Sequence, residues 1–159
     1  MYPLTDGYYA QVTPASSHKE ESEVSVEIRK HWVHKNRLVA SPQGITIPGS
    51  VWDCITQKFE EIEVAALDED LKTEYRAEFP NGNCTIVVSV KKPFKKADSK
   101  TNCVDIRNYY TSEEGIKPTK KGCYLSAAGF LKLKDILHYI KGDRVIFEAF
   151  NTKTKGKTG

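Results

Sequence analysis

Between residues 91 and 121 the chain sets out nine basic side chains: Lys91, Lys92, Lys95, Lys96, Lys100, Arg107, Lys117, Lys120 and Lys121. Phe94 and Tyr110 are interleaved with them. Lys and Arg neutralise phosphates, and exposed rings stack on unpaired bases, so this mixture suits a nucleic-acid strand. Phe94 is flanked by lysines and a proline instead of apolar neighbours, which makes it a stacking candidate; the alternative is a loop aromatic folded back on its sheet. The net charge of +3 conceals an asymmetry: residues 1–80 carry −6 and residues 81–159 carry +9. A basic half points to an anionic partner. The plainer reading is a solvated surface with a lysine-rich tail.

Other chemistries find little support. The four histidines, His18, His31, His34 and His138, are scattered. There is no G-x-S-x-G, no phosphate-cradling glycine loop and no paired-carboxylate motif, so neither an enzyme nor a cofactor is expected. His31 and His34 are a weak candidate for shared metal ligation. Glu60–Glu63 and Asp68–Asp70 read as a solvated helix end and linker. Cys54, Cys84, Cys103 and Cys123 form no C-x-x-C pair, which disfavours a zinc ribbon, and they are expected as reduced structural thiols. No apolar run approaches the roughly 18 residues of a membrane span, and the polar first 25 residues lack a signal-peptide pattern. An intracellular protein without membrane partners is expected.

The elements that must position these side chains repeat within the chain. Val26-Glu27-Ile28-Arg29-Lys30-His31-Trp32 finds its echo 78 residues on, in Val104-Asp105-Ile106-Arg107-Asn108-Tyr109-Tyr110. At the same offset Gly44 meets Gly122, Trp52 meets Phe130, and Ile55, Phe59 and Ile62 meet Leu133, Leu137 and Ile140. Tyr8–Val12 falls on Ile86–Val90. A register kept over nearly sixty positions indicates a tandem repeat.

Each copy reads as an antiparallel sheet followed by one helix, an α+β fold. The strands are placed at Tyr8–Val12 and Val24–Trp32, then Thr85–Val90 and Cys103–Tyr110, where apolar and polar residues alternate. Shorter extended pieces follow at Leu38–Ala40 and Gly44–Ile47, with equivalents at Ile116–Pro118 and Gly122–Leu125. Pro48 and Ser126 stand at the helix starts. Tyr75–Phe79 is expected as an extra leading strand turned onto Thr85–Val90 through Asn81-Gly82. Gly142 is expected to end the second helix, and Arg144–Phe150 to form a trailing strand against Tyr8–Val12. The resulting division is 5–66, 71–150 and a disordered lysine-rich tail at 151–159. A sheet and helix of some 60 residues bury too little alone, so the two copies are expected to cover each other as an intrachain pseudo-dimer, monomeric in solution.

Val90-Lys91-Lys92-Pro93-Phe94-Lys95-Lys96, Val104–Tyr110 and Gly115-Ile116-Lys117-Pro118-Thr119-Lys120-Lys121-Gly122, with Phe130 on the following helix, resemble the single-stranded-DNA-binding domain of the transcriptional coactivator positive cofactor 4. The resemblance covers residues 85–141 well and residues 8–63 more weakly. It implies curved sheets, helices paired in a dimer, and binding of unpaired DNA with little sequence preference, in transcription or DNA maintenance and in the nucleus. By motif position the second copy would contribute Phe94, Lys95, Arg107, Tyr110, Lys117, Pro118, Lys120 and Lys121, with Lys91, Lys92 and Lys96 beside them. In the first copy Arg29 and Trp32 match, and only Lys35 and Arg37 add charge, so the second copy is expected to grip the phosphates. RNA is an alternative ligand. A different class of function is a protein-interaction module whose acidic first half meets transcription or replication proteins. Arg107 and Tyr110 have opposite parity, so a bulge or strand end near Asn108 is required for both to touch one ligand.

Overall fold

The structure, a computed structural model, describes residues 1–15, 23–93 and 102–156. Two four-stranded antiparallel sheets are each followed by helices, in two similar halves. The first sheet runs in the order β1 (Tyr2–Pro3), β2 (Tyr8–Thr13), β3 (Ser25–His34), β4 (Arg37–Pro48). The second runs β5 (Tyr75–Asn81), β6 (Cys84–Lys91), β7 (Cys103–Ser112), β8 (Gly115–Ser126). Helices α1 (Gly49–Thr56) and α2 (Phe59–Leu67) follow the first sheet, and α3 (Ala127–Asp135) and α4 (Leu137–Gly156) the second. The ends of β7 and β8 fall 78 residues after those of β3 and β4, the offset read from the sequence.

Alternation drives the strands. Ala10, Val12, Val26, Ile28, Ile45 and Ile47 point inward from the first sheet, as do Ile86, Val88, Val90, Val104, Ile106 and Leu125 from the second. The extended pieces expected around Leu38–Ala40 and Gly44–Ile47 are one strand, β4, and the gap between them is a register irregularity, repeated in β8. The leading strand β5 pairs with β6, and Gly82 adopts φ +61 in their connection, a value glycine reaches without strain. Ser126 caps α3 by accepting the Gly129 N–H at 3.1 Å, and Pro48 precedes α1 without a side-chain cap.

Three expectations are corrected. Each copy has two helices where one was read, because the chain leaves helical geometry at Lys58 and at the equivalent Ile136. Trp52, Ile55, Phe59 and Ile62 still face inward across the break, so their spacing conceals it. Arg144–Phe150 is not a strand: α4 continues through Gly142, whose surroundings are open, and turns Ile140 and Phe147 toward the core. The edge of the first sheet is taken by Tyr2–Pro3. Finally, residues 151–156, expected in a disordered tail, belong to α4, and 157–159 lie outside the described residues.

The second helix of each half is exchanged between the sheets, while α1 and α3 also pack on their own. Helix α2 packs against β6 and β7 of the second sheet, while α4 packs against β2 of the first. Phe59 and Phe130 meet at 4.9 Å between ring centroids where α2 crosses α3, with Trp52 edge-on to Phe59 at 5.7 Å. Arg144 of α4 reaches Asp53 of α1 at 2.5 Å, and Lys134 pairs with Glu63. Asn102 closes the second link: its amide donates to the Ala65 and Asp68 carbonyls at 2.8 and 2.7 Å, satisfying the C-terminal end of α2. Strands β4 and β8 lie against each other, bringing the two irregularities close. No described helix is long and apolar enough to cross a membrane.

Candidate nucleic-acid interface

In the second half the ladder between β7 and β8 runs from Arg107–Gly122 straight to Tyr109–Pro118, leaving Thr119, Lys120 and Lys121 opposite Asn108 alone. Three residues against one push β8 outward. The Arg107 guanidinium holds this bulge in shape. Its Nη1 donates to the Thr119 carbonyl at 2.9 Å, while Nε and Nη2 bind both oxygens of Asp105 at 3.2 and 3.0 Å. Thr119 Oγ1 donates to the Asn108 carbonyl at 2.7 Å and accepts the Lys121 N–H at 3.2 Å. Burial works against the charge on Arg107, but the bond and field of Asp105 outweigh it and hold the guanidinium more firmly protonated than usual. Gly122 makes the clamp feasible, since a Cβ there would lie 2.7 Å from Arg107 Cζ.

Lys117, Pro118, Lys120 and Lys121 are all exposed along this braced stretch of β8. Lys117 is paired with Glu114 at 3.1 Å. The required bulge is present, yet it lies on β8, so β7 keeps its alternation against β6. Arg107 and Tyr109 lie opposite Val87 and Thr85, whereas Asn108 and Tyr110 lie opposite Ile86 and Cys84. Opposed residues share a face. Tyr109 therefore accompanies Arg107, with Arg76 of β5 over its ring at 5.3 Å, and the exposed Tyr110 stands beside its partner Lys117 on the other face. The sequence reading overlooked Tyr109 and Arg76; the equal parity of 105, 107 and 109 was the signal available.

Lys91 ends β6, and Lys92 donates to the Glu69 carbonyl at 2.8 Å, away from the bulge. Phe94, Lys95, Lys96 and Lys100 lie outside the described residues. The first half repeats the frame with different cargo. Arg29 Nη1 donates to the Ser41 carbonyl at 3.0 Å and its Nε approaches Glu27 at 3.4 Å, while Ser41 Oγ accepts the Gln43 N–H at 3.1 Å. Yet the positions of Lys117, Pro118, Lys120 and Lys121 hold Val39, Ala40, Pro42 and Gln43. Trp32 is 52% exposed opposite Val39, and Lys35 and Arg37 sit at the exposed end of that hairpin.

All four cysteines are free thiols, and burial, aided by the Asp105 carboxylate, pushes the Cys123 thiol above its usual range. Among the described residues, no three His, Cys, Asp or Glu side chains converge as a metal site.

Residues 91–136 match the family described as Transcriptional Coactivator p15 (PC4). The PC4 match begins at the last residue of β6, takes in β7, β8 and α3, and ends where α3 is capped at Ile136. It therefore contains the whole bulge, its arginine clamp and its lysines. The first half lies outside the PC4 match. No curated protein and no solved structure matches the chain.

Proposed function

We propose that this protein binds unpaired nucleic-acid strands, single-stranded DNA before RNA and with little base preference, as a PC4-like cofactor of transcription or DNA maintenance in the nucleus. The observation that carries this reading is the clamped bulge of β8, where Lys120 and Lys121 are exposed with Lys117 and Pro118 just before them, on a frame braced by the Arg107 guanidinium. Charge held on a rigid frame attracts phosphate without first paying to order the loop. Tyr110 beside Lys117 supplies a ring for an unpaired base. The PC4 match over the same elements supports the reading. In the first half Arg29 serves its own bulge, so phosphate contacts fall chiefly to the second half, with Trp32 as a further stacking surface.

The test is competition among single-stranded DNA, duplex DNA and RNA of one length at two salt concentrations. The single-stranded DNA is expected to compete best, and its affinity to fall steeply with salt. Equal competition by duplex, or binding indifferent to salt, would overturn the proposal.

A second reading, protein contact by the first half, is favoured by one feature. Beyond the end of β2 the β3–β4 hairpin carries Trp32, Val33, Leu38 and Val39, all exposed and opposed in pairs. Trp52 is buried, so fluorescence changes report chiefly on Trp32. An unchanged signal on saturation with oligonucleotide would remove this hairpin from the strand's path, and a change would count against the protein-contact reading.

A further inference from the structure

A cleft of about 340 Å³ opens where the irregularity of β4 faces that of β8, lined by Arg29, Pro42 and Thr46 from the first half and Asn81, Asn108 and Lys121 from the second. That volume falls in the ~300–1,000 Å³ range of small-molecule sites. Asn108 is among the lining residues, and its Oδ1, shut off from solvent, has no hydrogen-bond partner. A buried acceptor of this kind calls for a donor. Two cations, Arg29 and Lys121, line the same space, and Lys121 belongs to the exposed bulge.

The pseudo-symmetric position shows what such a space holds. There the counterpart of Asn108 is Lys30, that of Thr46 is Tyr124, and that of Ile86, which lies opposite Asn108, is Tyr8. Tyr8 is buried, its hydroxyl oxygen accepts the Tyr124 N–H at 3.3 Å, and Lys30 Nζ lies 5.7 Å from its ring centroid. One position thus seats a ring belonging to the chain itself. In the other, Ile86 stands where Tyr8 does, and the room is left open.

We infer that this inter-sheet cleft receives one unpaired base of the bound strand, the Asn108 amide turning to meet the base edge and the adjoining phosphate meeting Lys121. The inference rests on the nucleic-acid reading above and adds to it a defined base site made jointly by both halves. It gives the bound strand a fixed register, because one base enters here and none enters the position Tyr8 fills.

The test compares an oligothymidylate of about 20 residues with a version of equal length carrying central abasic sites, on the wild-type chain and on Ile86→Tyr, Thr46→Tyr and Asn108→Ala. Thermal melting identifies the folded variants. Wild type is expected to prefer the intact strand about tenfold or more. Ile86→Tyr and Thr46→Tyr, which supply the cleft with a ring of its own, should shrink that preference several-fold while Ile86→Tyr keeps the salt slope. Asn108→Ala, which adds no bulk, tests the same site if the tyrosine variants do not fold. Folded variants that retain the full preference would overturn the cleft while leaving salt-dependent binding intact. Failure of the wild-type chain to bind either strand would instead remove the nucleic-acid reading, and the cleft with it.

Discussion

Truncating Arg107 leaves Asp105 buried and without its ion-pair partner, whereas truncating Arg29 leaves Glu27 partly exposed and still accepting from Gln11 and Thr46. Removing one member of a buried pair costs about 3–5 kcal/mol. Arg107→Ala should therefore lower stability in denaturant unfolding by about 3 kcal/mol, and Arg29→Ala by only about 1 kcal/mol. If Arg107 served only phosphate, its loss would weaken binding at unchanged stability. The lysines behave oppositely. Lys117→Ala, Lys120→Ala and Lys121→Ala combined should leave melting unchanged, weaken single-strand binding and reduce the salt slope by about 2. An unchanged slope would exclude this patch. Tyr110→Ala should cost roughly 1–3 kcal/mol of binding where the ring stacks on a base, and a loss of folding would show the ring to be structural. What the sequence could convey here was residue type: the Val-Asp-Ile-Arg and Lys-Pro-x-Lys-Lys-Gly stretches marked the right segment. That the arginine is held by Asp105 and Thr119 depends on a three-against-one bulge, and no local pattern announces it.

The strands were legible because alternation and turn glycine act within a few residues, as at Asn81-Gly82 before β6. Helix limits were not, because a break at Lys58 costs one turn's hydrogen bonds without moving Phe59 or Ile62 off the buried side. Arg144–Phe150 misled for a related reason: Val145, Ile146 and Phe147 favour strands intrinsically, but Phe147 and Arg144 gain burial and an ion pair only as part of α4. Tertiary contact decided against propensity. At this scale the glycine opposite Arg107 is the sensitive point. Gly122→Ala places a methyl 2.7 Å from Arg107 Cζ and 2.9 Å from the Ile106 carbonyl. It should displace the clamp, lower stability by about 1–3 kcal/mol, and weaken oligonucleotide binding by loosening the lysines, as read by unfolding and titration on the same samples.

Across the whole molecule, the exchanged helices make the halves interdependent. Asn102 holds the end of α2, and α4 lies under β2, so a chain cut near residue 70 should yield two fragments that lack native circular dichroism separately and recover it when mixed. Independent folding of either fragment would contradict the exchange. The intact chain should sediment as a monomer near its 17.9 kDa mass, since each sheet finds its helix within the same polypeptide.

That exchange also sets an order in time. While the polypeptide is being made, the strands of the first sheet leave the ribosome long before the helix that shields β2, with more than a hundred codons separating Thr13 from Leu137. At bacterial-to-eukaryotic elongation speeds the delay is on the order of ten seconds. Throughout that interval the β2 side of the nascent sheet is open to chaperones and to neighbouring nascent chains, until the later-made α4 seals it.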